Sequence, residues 1–120
     1  MSFFSPSEFH CKCSNRTCIG KTTAISPVLL QVLEDIRSAF KAPIIVTSGW
    51  RCPAHNKTVG GALRSQHVQG MAVDIRPRDL KDLPQLRELC RADVRLIGIG
   101  VHDAFVHIDV RKGRRVEWKY

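Results

Sequence analysis

The sequence predicts an α+β fold in which a small antiparallel sheet carries helices packed on one face. Two segments repeat apolar residues at helical spacing, and several short runs rich in β-branched and apolar residues have the length and pattern of strands. At 120 residues, 43% hydrophobic and 25% charged, the chain has the size and composition of one globular domain. We therefore expect a single domain over residues 1–120, in which residues 1–25 form an irregular arm that contains cysteines.

Two amphipathic helices are predicted. The first begins after Ser26, which can cap it, with Pro27 at the first helical position. It should end near Lys41, because Pro43 disfavours helical conformation in the residue before it. Its apolar positions are Leu29, Val32, Leu33, Ile36 and Phe40. The second helix follows Asp82, and its shared apolar face comprises Leu83, Leu86, Leu89 and Cys90. A third, short helix is expected between residues 54 and 66.

Strands are predicted at residues 44–47, 71–75, 96–101 and 105–110, with a short edge strand at 116–118. Side chains alternate between the two faces of a strand. In the segment 105–110 this alternation directs the aliphatic residues to the core, and His107 and Asp109 to the other face. In the segment 71–75 it directs Asp74 away from the core in the same way. His67 precedes Gly70 on a loop that can fold back over this polar face.

The chain is basic, with 19 lysines and arginines against 11 acidic residues. An excess of positive charge favours polyanions such as nucleic acid, anionic membranes and wall polymers. The cluster Arg111-Lys112-Gly113-Arg114-Arg115 has no interleaved aromatic residues for base stacking, so we interpret it as a solvated turn, and nucleic acid is not an expected partner. No apolar run approaches the roughly 20 residues that span a bilayer. The first residues do not resemble a signal peptide, so we expect synthesis in the cytoplasm.

Five cysteines leave one over from any complete set of disulfides. Without a signal peptide, reduced thiols are the default. Cys90 lies on the apolar face of a predicted helix and is expected in the core. The other four (Cys11, Cys13, Cys18 and Cys52) can form a second, structural zinc site. The Cys-x-Cys spacing matches the usual zinc knuckle poorly, however, so unlinked thiols or one labile disulfide are the favoured alternatives.

His67, Asp74 and His107 form a combination known from catalytic zinc sites, in which three protein ligands leave a fourth position for water. Zinc lowers the pKa of such a water to about 7 and polarises a scissile carbonyl. Spacing alone leaves two interpretations open. The three residues either bind a metal or form a cluster whose polar groups satisfy one another by hydrogen bonding.

Three motifs of the chain are Ser48-Gly49-Trp50-Arg51, Ser65-Gln66-His67-x-x-Gly70-x-Ala72-x-Asp74 and Phe105-Val106-His107-x-Asp109. Together they resemble the zinc D-Ala-D-Ala carboxypeptidase family, in particular its short members from bacteriophages and prophages. The resemblance covers residues from about 8 to 118. It implies a fold shared with the hedgehog signalling domain and a Zn²⁺ ion bound by His67, Asp74 and His107. It also implies wall-peptide substrates, cleaved at a D-Ala-D-Ala terminus or at an internal bond such as L-Ala-D-Glu.

The same resemblance assigns further roles. Arg51 matches an arginine near the metal that polarises or orients a substrate carbonyl or carboxylate, and Ser65 matches a serine that lines the site. Many relatives have an acidic general base three residues before the last histidine, where this chain has Ala104. We rank the substitutes Asp103, His102 and Glu117 in that order, since a base must reach the attacking water. Asp109 is expected to orient a ligand imidazole or Arg51.

These features predict a monomeric zinc metallopeptidase that cleaves the stem peptides of peptidoglycan. A phage lysis enzyme (endolysin) would act after release from the cytoplasm, and a virion protein would act as part of the particle. The main alternative is a catalytically weak, metal-containing module that binds wall peptides or a phage structural protein, and Ala104 favours it. A nucleic-acid-binding protein is supported by net charge alone.

Overall fold

The computed structural model describes residues 3–12, 25–61 and 65–120, and two cysteines of the predicted structural zinc site, Cys13 and Cys18, lie outside the described residues. Within these ranges the helices are α1 (Pro27–Phe40), α2 (Pro53–Thr58) and α3 (Leu83–Ala92), with two short 3-10 helices at Pro6–Phe9 and Leu80–Asp82. The strands are β1 (Ile44–Ser48), β2 (Ala72–Pro77), β3 (Gly98–Val101), β4 (Val106–Asp109) and β5 (Val116–Lys119). All three predicted helices and all five predicted strands are present. None of the helices in the described ranges is long and apolar enough to cross a membrane.

The five strands form one sheet in the order β1-β2-β4-β3-β5. The pairs β1–β2, β2–β4 and β3–β4 are antiparallel, as predicted. The edge strand β5 instead runs parallel to β3, so the sheet is mixed. The cause is the connection after β4, which reverses the chain and carries it past β3 to the outer edge. The α+β class is confirmed, and the antiparallel prediction is wrong only for this edge.

The hydrophobic core lies between one face of the sheet and the two longer helices. Ser26 caps α1 by accepting a hydrogen bond from the amide of Leu29 (3.4 Å), and Lys41 ends the helix in a left-handed conformation. Side chains from the helices and strands form one contiguous buried cluster that includes Leu29, Leu33, Leu86, Val73, Ile75, Ile99, Val106 and Ile108. Each such side chain contributes about 1.5–3 kcal/mol on burial. Cys90 lies in this core, as its position in the sequence predicts.

The start of the N-terminal arm packs against the rest of the protein. Residues 6–9 form a 3-10 helix where an irregular segment was predicted, with Ser5 and Glu8 in a capping box. Phe9 is buried, and its carbonyl accepts a hydrogen bond from the amide of Trp50 (3.0 Å). The backbones approach so closely that a Cβ on Gly49 would lie 2.6 Å from the Cα of Phe9. The arm therefore packs directly on the segment that follows β1.

Candidate metal centre

The face of the sheet opposite the helices carries the polar residues. The backbone of Asp74 in β2 is paired with that of His107 in β4. His107 is paired in turn with Gly100 in β3, and Gly100 with Trp118 in β5. These four positions form one row across the sheet. The strand alternation thus brings a carboxylate and an imidazole side by side, as the sequence predicts.

His67 reaches this row from the turn before β2. Gly70 has a φ of 73°, a left-handed conformation that glycine adopts without steric cost, and the chain reverses there. The amide of Met71 donates to the carbonyl of Gln66 (3.0 Å) and closes the turn. The His67 Nδ1 atom lies 2.8 Å from the carbonyl oxygen of Gly49. This contact turns the other ring nitrogen, Nε2, toward Asp74.

Within the described part of the chain, His67, Asp74 and His107 are the group whose ligand atoms lie close enough to hold a metal ion, all within 4.8 Å of one another. His67 Nε2 and His107 Nδ1 each lie 3.1 Å from Oδ1 of Asp74. All three side chains are buried. This group can therefore hold a metal with two nitrogen ligands and one oxygen ligand.

The hydrogen bonds of the two histidines fix which ring nitrogens can coordinate a cation. The Gly49 carbonyl only accepts, so His67 carries its proton on Nδ1 and offers the lone pair of Nε2. Asp109 accepts from Nε2 of His107 (2.7 Å), so His107 offers the lone pair of Nδ1. Two lone pairs and a carboxylate oxygen thus converge on one point. That arrangement is favourable only with a cation or an added proton between them, and so the donor set fits a metal ion.

The pKa shifts reflect the same need for positive charge at this point, which an added proton supplies where no metal is bound. Burial favours the neutral form of Asp74, but hydrogen bonds from His107 and His67 outweigh it and hold its pKa at about 2. Burial lowers the pKa of His107, but its bonds to Asp109 and Asp74 raise it above the usual value overall. Asp74 is therefore an anion at neutral pH, as a carboxylate must be to bind a metal ion.

Asp109 holds the ring of His107 through the hydrogen bond from Nε2. Its carboxylate is completely buried and also accepts two side-chain hydrogen bonds from Arg111, at 2.9 Å from Nε and 2.7 Å from Nη2. Burial alone would raise the pKa of Asp109, but the bonds to Arg111 and His107 hold it well below its usual range. A Cβ on Gly98 would lie 2.1 Å from this carboxylate. Gly98 therefore leaves the space that Asp109 occupies.

Arg51 lies on the other side of Asp74. Its Nη2 atom is 3.4 Å from Oδ2 of Asp74, the carboxylate oxygen that faces away from the histidines. Ser48 Oγ accepts from its Nε (3.1 Å), and the buried Asn56 accepts from Nη1 (3.3 Å). Gly61 leaves room for Asn56, since a Cβ there would lie 2.0 Å from the amide oxygen. The guanidinium is thus held in one orientation beside the candidate metal position.

These residues border an open cleft of about 510 Å³. Beyond the three possible ligands, its lining includes Arg51, Ser65, Gln66, Phe105, Arg111, Trp118 and Tyr120. Of these residues, the sequence predictions assigned Arg51 and Ser65 to the site. Arg111 was assigned to a solvated turn, and its bonds to Asp109 correct that assignment. Strand alternation places Phe105 on the face of His107, and it would also have found Tyr120, which follows Trp118 by two residues.

The three candidates for the general base lie outside this lining. Asp103 is exposed on the turn between β3 and β4. The ring of His102 stacks on that of Phe105, with 4.4 Å between the ring centroids, across the turn that joins β3 to β4. Glu117 forms an ion pair with Arg91 of α3, on the side of β5 away from Trp118. Of the described residues in the lining, Tyr120 adds a phenol whose pKa is raised by burial and by Asp74.

A His–Asp–His group that can hold a metal ion beneath an open cleft is typical of metallohydrolases. Comparison with family models makes the class specific. The Peptidase M15 model matches residues 2–109, which is most of the chain. The chain belongs to this family of metal-dependent peptidases, so the resemblance to zinc D-Ala-D-Ala carboxypeptidases is confirmed. No curated protein matches the chain significantly.

Proposed function

We propose that this protein is a zinc peptidase that cleaves peptide bonds in the stem peptides of peptidoglycan, as a D-Ala-D-Ala carboxypeptidase or an endopeptidase. The observation that carries the proposal is the convergence of His67 Nε2, His107 Nδ1 and Asp74 Oδ1 at an open cleft. Two imidazoles and one carboxylate are a ligand set that zinc uses in catalytic sites, where a fourth position stays open. A zinc ion held there would supply Lewis-acid polarisation and lower the pKa of water.

The protein's own contribution is to orient the peptide. Arg51 lies beside Asp74 with its guanidinium held by Ser48 and Asn56, so it can direct donors at a substrate carbonyl or carboxylate with little loss of side-chain freedom. Ser65 also lines the cleft. We assign both residues to substrate binding, and Asp109 to holding the ring of His107 in the required tautomer.

The chemistry of the cleft suits a wall peptide. Arg51 and Arg111 bring two guanidinium groups into a lining that also contains the rings of Phe105, Trp118 and Tyr120, and Arg111 lies over the ring of Trp118. Stem peptides carry carboxylates at their C-terminus and on side chains, which such donors recognise. The net charge of +8 also favours approach to an anionic wall. We propose that a monomer acts on the wall, either as a released phage endolysin or within a phage particle.

The remaining requirement is a proton acceptor, and we retain the ranking Asp103, His102, Glu117. Catalytic hydrogen bonds are often long in unliganded enzymes and tighten in the complex. Asp103 lies on the same turn as Phe105, which lines the cleft. A movement of that turn toward the cleft would bring the Asp103 carboxylate closer to the substrate. Glu117 would first have to release Arg91, which supports its place at the end of the ranking.

The proposal is tested by incubating the zinc-loaded protein with purified muropeptides and identifying the products by mass spectrometry. We expect a product shortened at the D-Ala-D-Ala terminus or at an internal stem bond, with no product from His67→Ala. Zinc-loaded wild type that binds muropeptides without cleaving them would overturn the peptidase and favour the binding module. That second candidate is supported by Ala104 and by the lack of any carboxylate besides Asp74 among the described residues of the cleft lining.

A further inference from the structure

Arg111, just after β4, is held in the cleft lining by two kinds of contact. Its Nε and Nη2 atoms donate side by side to the two carboxylate oxygens of Asp109, at 2.9 and 2.7 Å, and its backbone amide donates to the same carboxylate at 3.2 Å. Its guanidinium carbon lies over the ring of Trp118, 5.3 Å from the ring centroid. At that distance a cation and an aromatic ring attract each other. The guanidinium therefore has a fixed place.

The position of the Trp118 ring depends on a glycine in the neighbouring strand. A Cβ on Gly100 would lie 2.6 Å from Cε2 of the indole, so the lack of a side chain there lets the ring lie against β3. The same ring is 5.0 Å from that of His107, measured between centroids. The indole thus connects the guanidinium of Arg111 to the candidate metal group.

The two side-chain bonds to Asp109 leave part of the Arg111 guanidinium unused. A guanidinium has five N–H donors, and Nε and Nη2 each use one of them on Asp109. Nη1 has no hydrogen-bond partner within the described part of the chain, and 31% of the side chain is exposed. The end formed by Nη1 and Nη2 can therefore bind a second carboxylate in the bidentate manner typical of arginine.

Arg111 and Arg51 lie on opposite sides of the candidate metal group. Arg51 follows β1, at one edge of the sheet, and contacts Oδ2 of Asp74. Arg111 contacts the ring of Trp118 in β5, at the other edge. Asp74 and His107 belong to β2 and β4, between these edges. A substrate bound at this group therefore meets one guanidinium on each side.

We propose that Arg111 is a specificity-determining residue, which binds a free carboxylate of the substrate and makes the protein prefer the acid form of a wall peptide to its amide. The inference rests on the proposed function, since it takes the substrate to be a stem peptide. Two carboxylates of such a peptide have the required chemistry, that of the C-terminal D-alanine and that of D-glutamate. Amidation of either one removes the charge and puts an N–H donor where Arg111 needs an acceptor.

The test uses three stem pentapeptides: the unmodified peptide, its C-terminal amide, and the peptide with an amidated D-glutamate. Calorimetry measures the dissociation constant of each for the full, zinc-loaded chain, and mass spectrometry of the same samples detects cleavage. Where a peptide is cleaved, kcat/KM replaces the dissociation constant. We expect one of the two amides to bind wild type roughly 10-fold more weakly than the acid, the lower limit for a hydrogen bond between charged groups. That amide identifies the carboxylate.

Two variants assign the preference to a residue. In Arg111→Gln the acid and this amide should bind equally well, whatever the variant does to overall affinity. Arg114→Gln is the matched control, because it removes the same charge from the same turn but is not among the residues that line the cleft. It should keep the wild-type preference. If Arg111→Gln does not fold, Arg111→Lys replaces it. Its ammonium, drawn to the buried Asp109, cannot present a fork to a second carboxylate, so the preference should be lost there too.

Equal binding of all three peptides to wild type, or no binding of any, would overturn the proposal without the use of a variant. An undiminished preference for the acid in Arg111→Gln would also overturn it, and would assign the carboxylate to another residue such as Arg51. The proposed function fails separately. A preference for the acid without cleavage supports the role of Arg111 and contradicts the peptidase, whereas cleavage without the preference does the reverse.

Discussion

The two faces of the sheet are built from the same strands, yet one face forms the hydrophobic core and the other carries the candidate metal site. In β4, Val106 and Ile108 face the helices, while His107 and Asp109 lie on the opposite face of the sheet, and all four are almost completely buried. Burial therefore does not distinguish the faces. The difference lies in what each side chain contacts: the aliphatic residues pack against one another, while each polar atom has a hydrogen-bond partner. A buried polar group without such a partner would cost several kcal/mol.

Neighbouring residues of one strand therefore serve different ends, one stabilising the core and the next contributing to the candidate metal site. Substitutions on the core face should lower the free energy of unfolding and leave metal binding intact once the protein is folded. Substitutions on the cleft face should remove metal or turnover at a smaller cost in stability.

The largest effect is expected from the three proposed ligands. His67→Ala, Asp74→Ala and His107→Ala should each lose the zinc of this site and reduce peptidase activity to that of the metal-free protein, because two ligands and water retain zinc poorly. Chelation of wild type should also lower its melting temperature, since a metal bound to the native state stabilises it. Metal analysis with muropeptide turnover checks both statements. Full zinc content in all three variants would contradict the assignment.

The neighbouring core position gives the next effect. Ile108→Ala should lower the free energy of unfolding by about 2–5 kcal/mol, through lost burial and the cavity left behind. Urea denaturation measures this change, and metal analysis of the folded fraction should find unchanged zinc at the His–Asp–His group. If Ile108→Ala does not fold, Ile108→Val provides a milder version, at about 0.5–1.5 kcal/mol. The separation of the two faces fails if these variants lose zinc while still folded.

A general base contributes less than the metal itself, but its loss is easily measured. Asp103→Asn should reduce activity per bound zinc by roughly 10²-fold or more, the usual scale for a positioned base. His102→Gln and Glu117→Gln are the matched comparisons and should retain most activity. Tyr120→Phe belongs in the same series, because its phenol lines the cleft. If the large loss falls on any variant other than Asp103→Asn, the base ranking is wrong.

The sequence predicted most of the fold because its signals are local. Ser26 and Pro27 mark the start of α1, and alternation in β2 and β4 assigns Asp74 and His107 to one face. What it missed depends on the path of the chain after β4 and on which side chains form hydrogen bonds there. The direction of β5 depends on which strand it pairs with after the turn that follows β4. The role of Arg111 depends on its hydrogen bonds to the buried carboxylate of Asp109.

A smaller effect is expected at Arg51. Arg51→Lys should keep zinc but reduce turnover by roughly 10-fold or more, because lysine cannot present a planar fork of donors to a carboxylate or carbonyl. Its three present partners are all acceptors, Ser48, Asn56 and Asp74, and one ammonium group cannot satisfy them in the same geometry. Steady-state kinetics with zinc measured in parallel is the check. Wild-type turnover in Arg51→Lys would assign the arginine to a structural role.

The smallest effect should come from Asp109, which acts on the site only through His107. Asn at this position can still accept a hydrogen bond from Nε2 of His107, so the ring should keep its tautomer and direction. What is lost is the negative charge that makes the imidazole a stronger electron-pair donor to the metal. Arg111 already neutralises part of that charge through two hydrogen bonds. Loss of such a supporting partner typically weakens metal binding by about 10–100-fold, and we expect Asp109→Asn near the lower limit.

Competition with a zinc chelator measures that affinity without any substrate. Gly98→Ala is the matched variant, because its added Cβ would lie 2.1 Å from the Asp109 carboxylate and must displace it while leaving its charge in place. If charge is what matters, Gly98→Ala should bind zinc more tightly than Asp109→Asn. If the position of the carboxylate matters more, Gly98→Ala should bind zinc less tightly, since it misdirects the ring that Asn would still hold. If both variants bind zinc as tightly as wild type, His107 does not need the hydrogen bond to Asp109 to hold the metal.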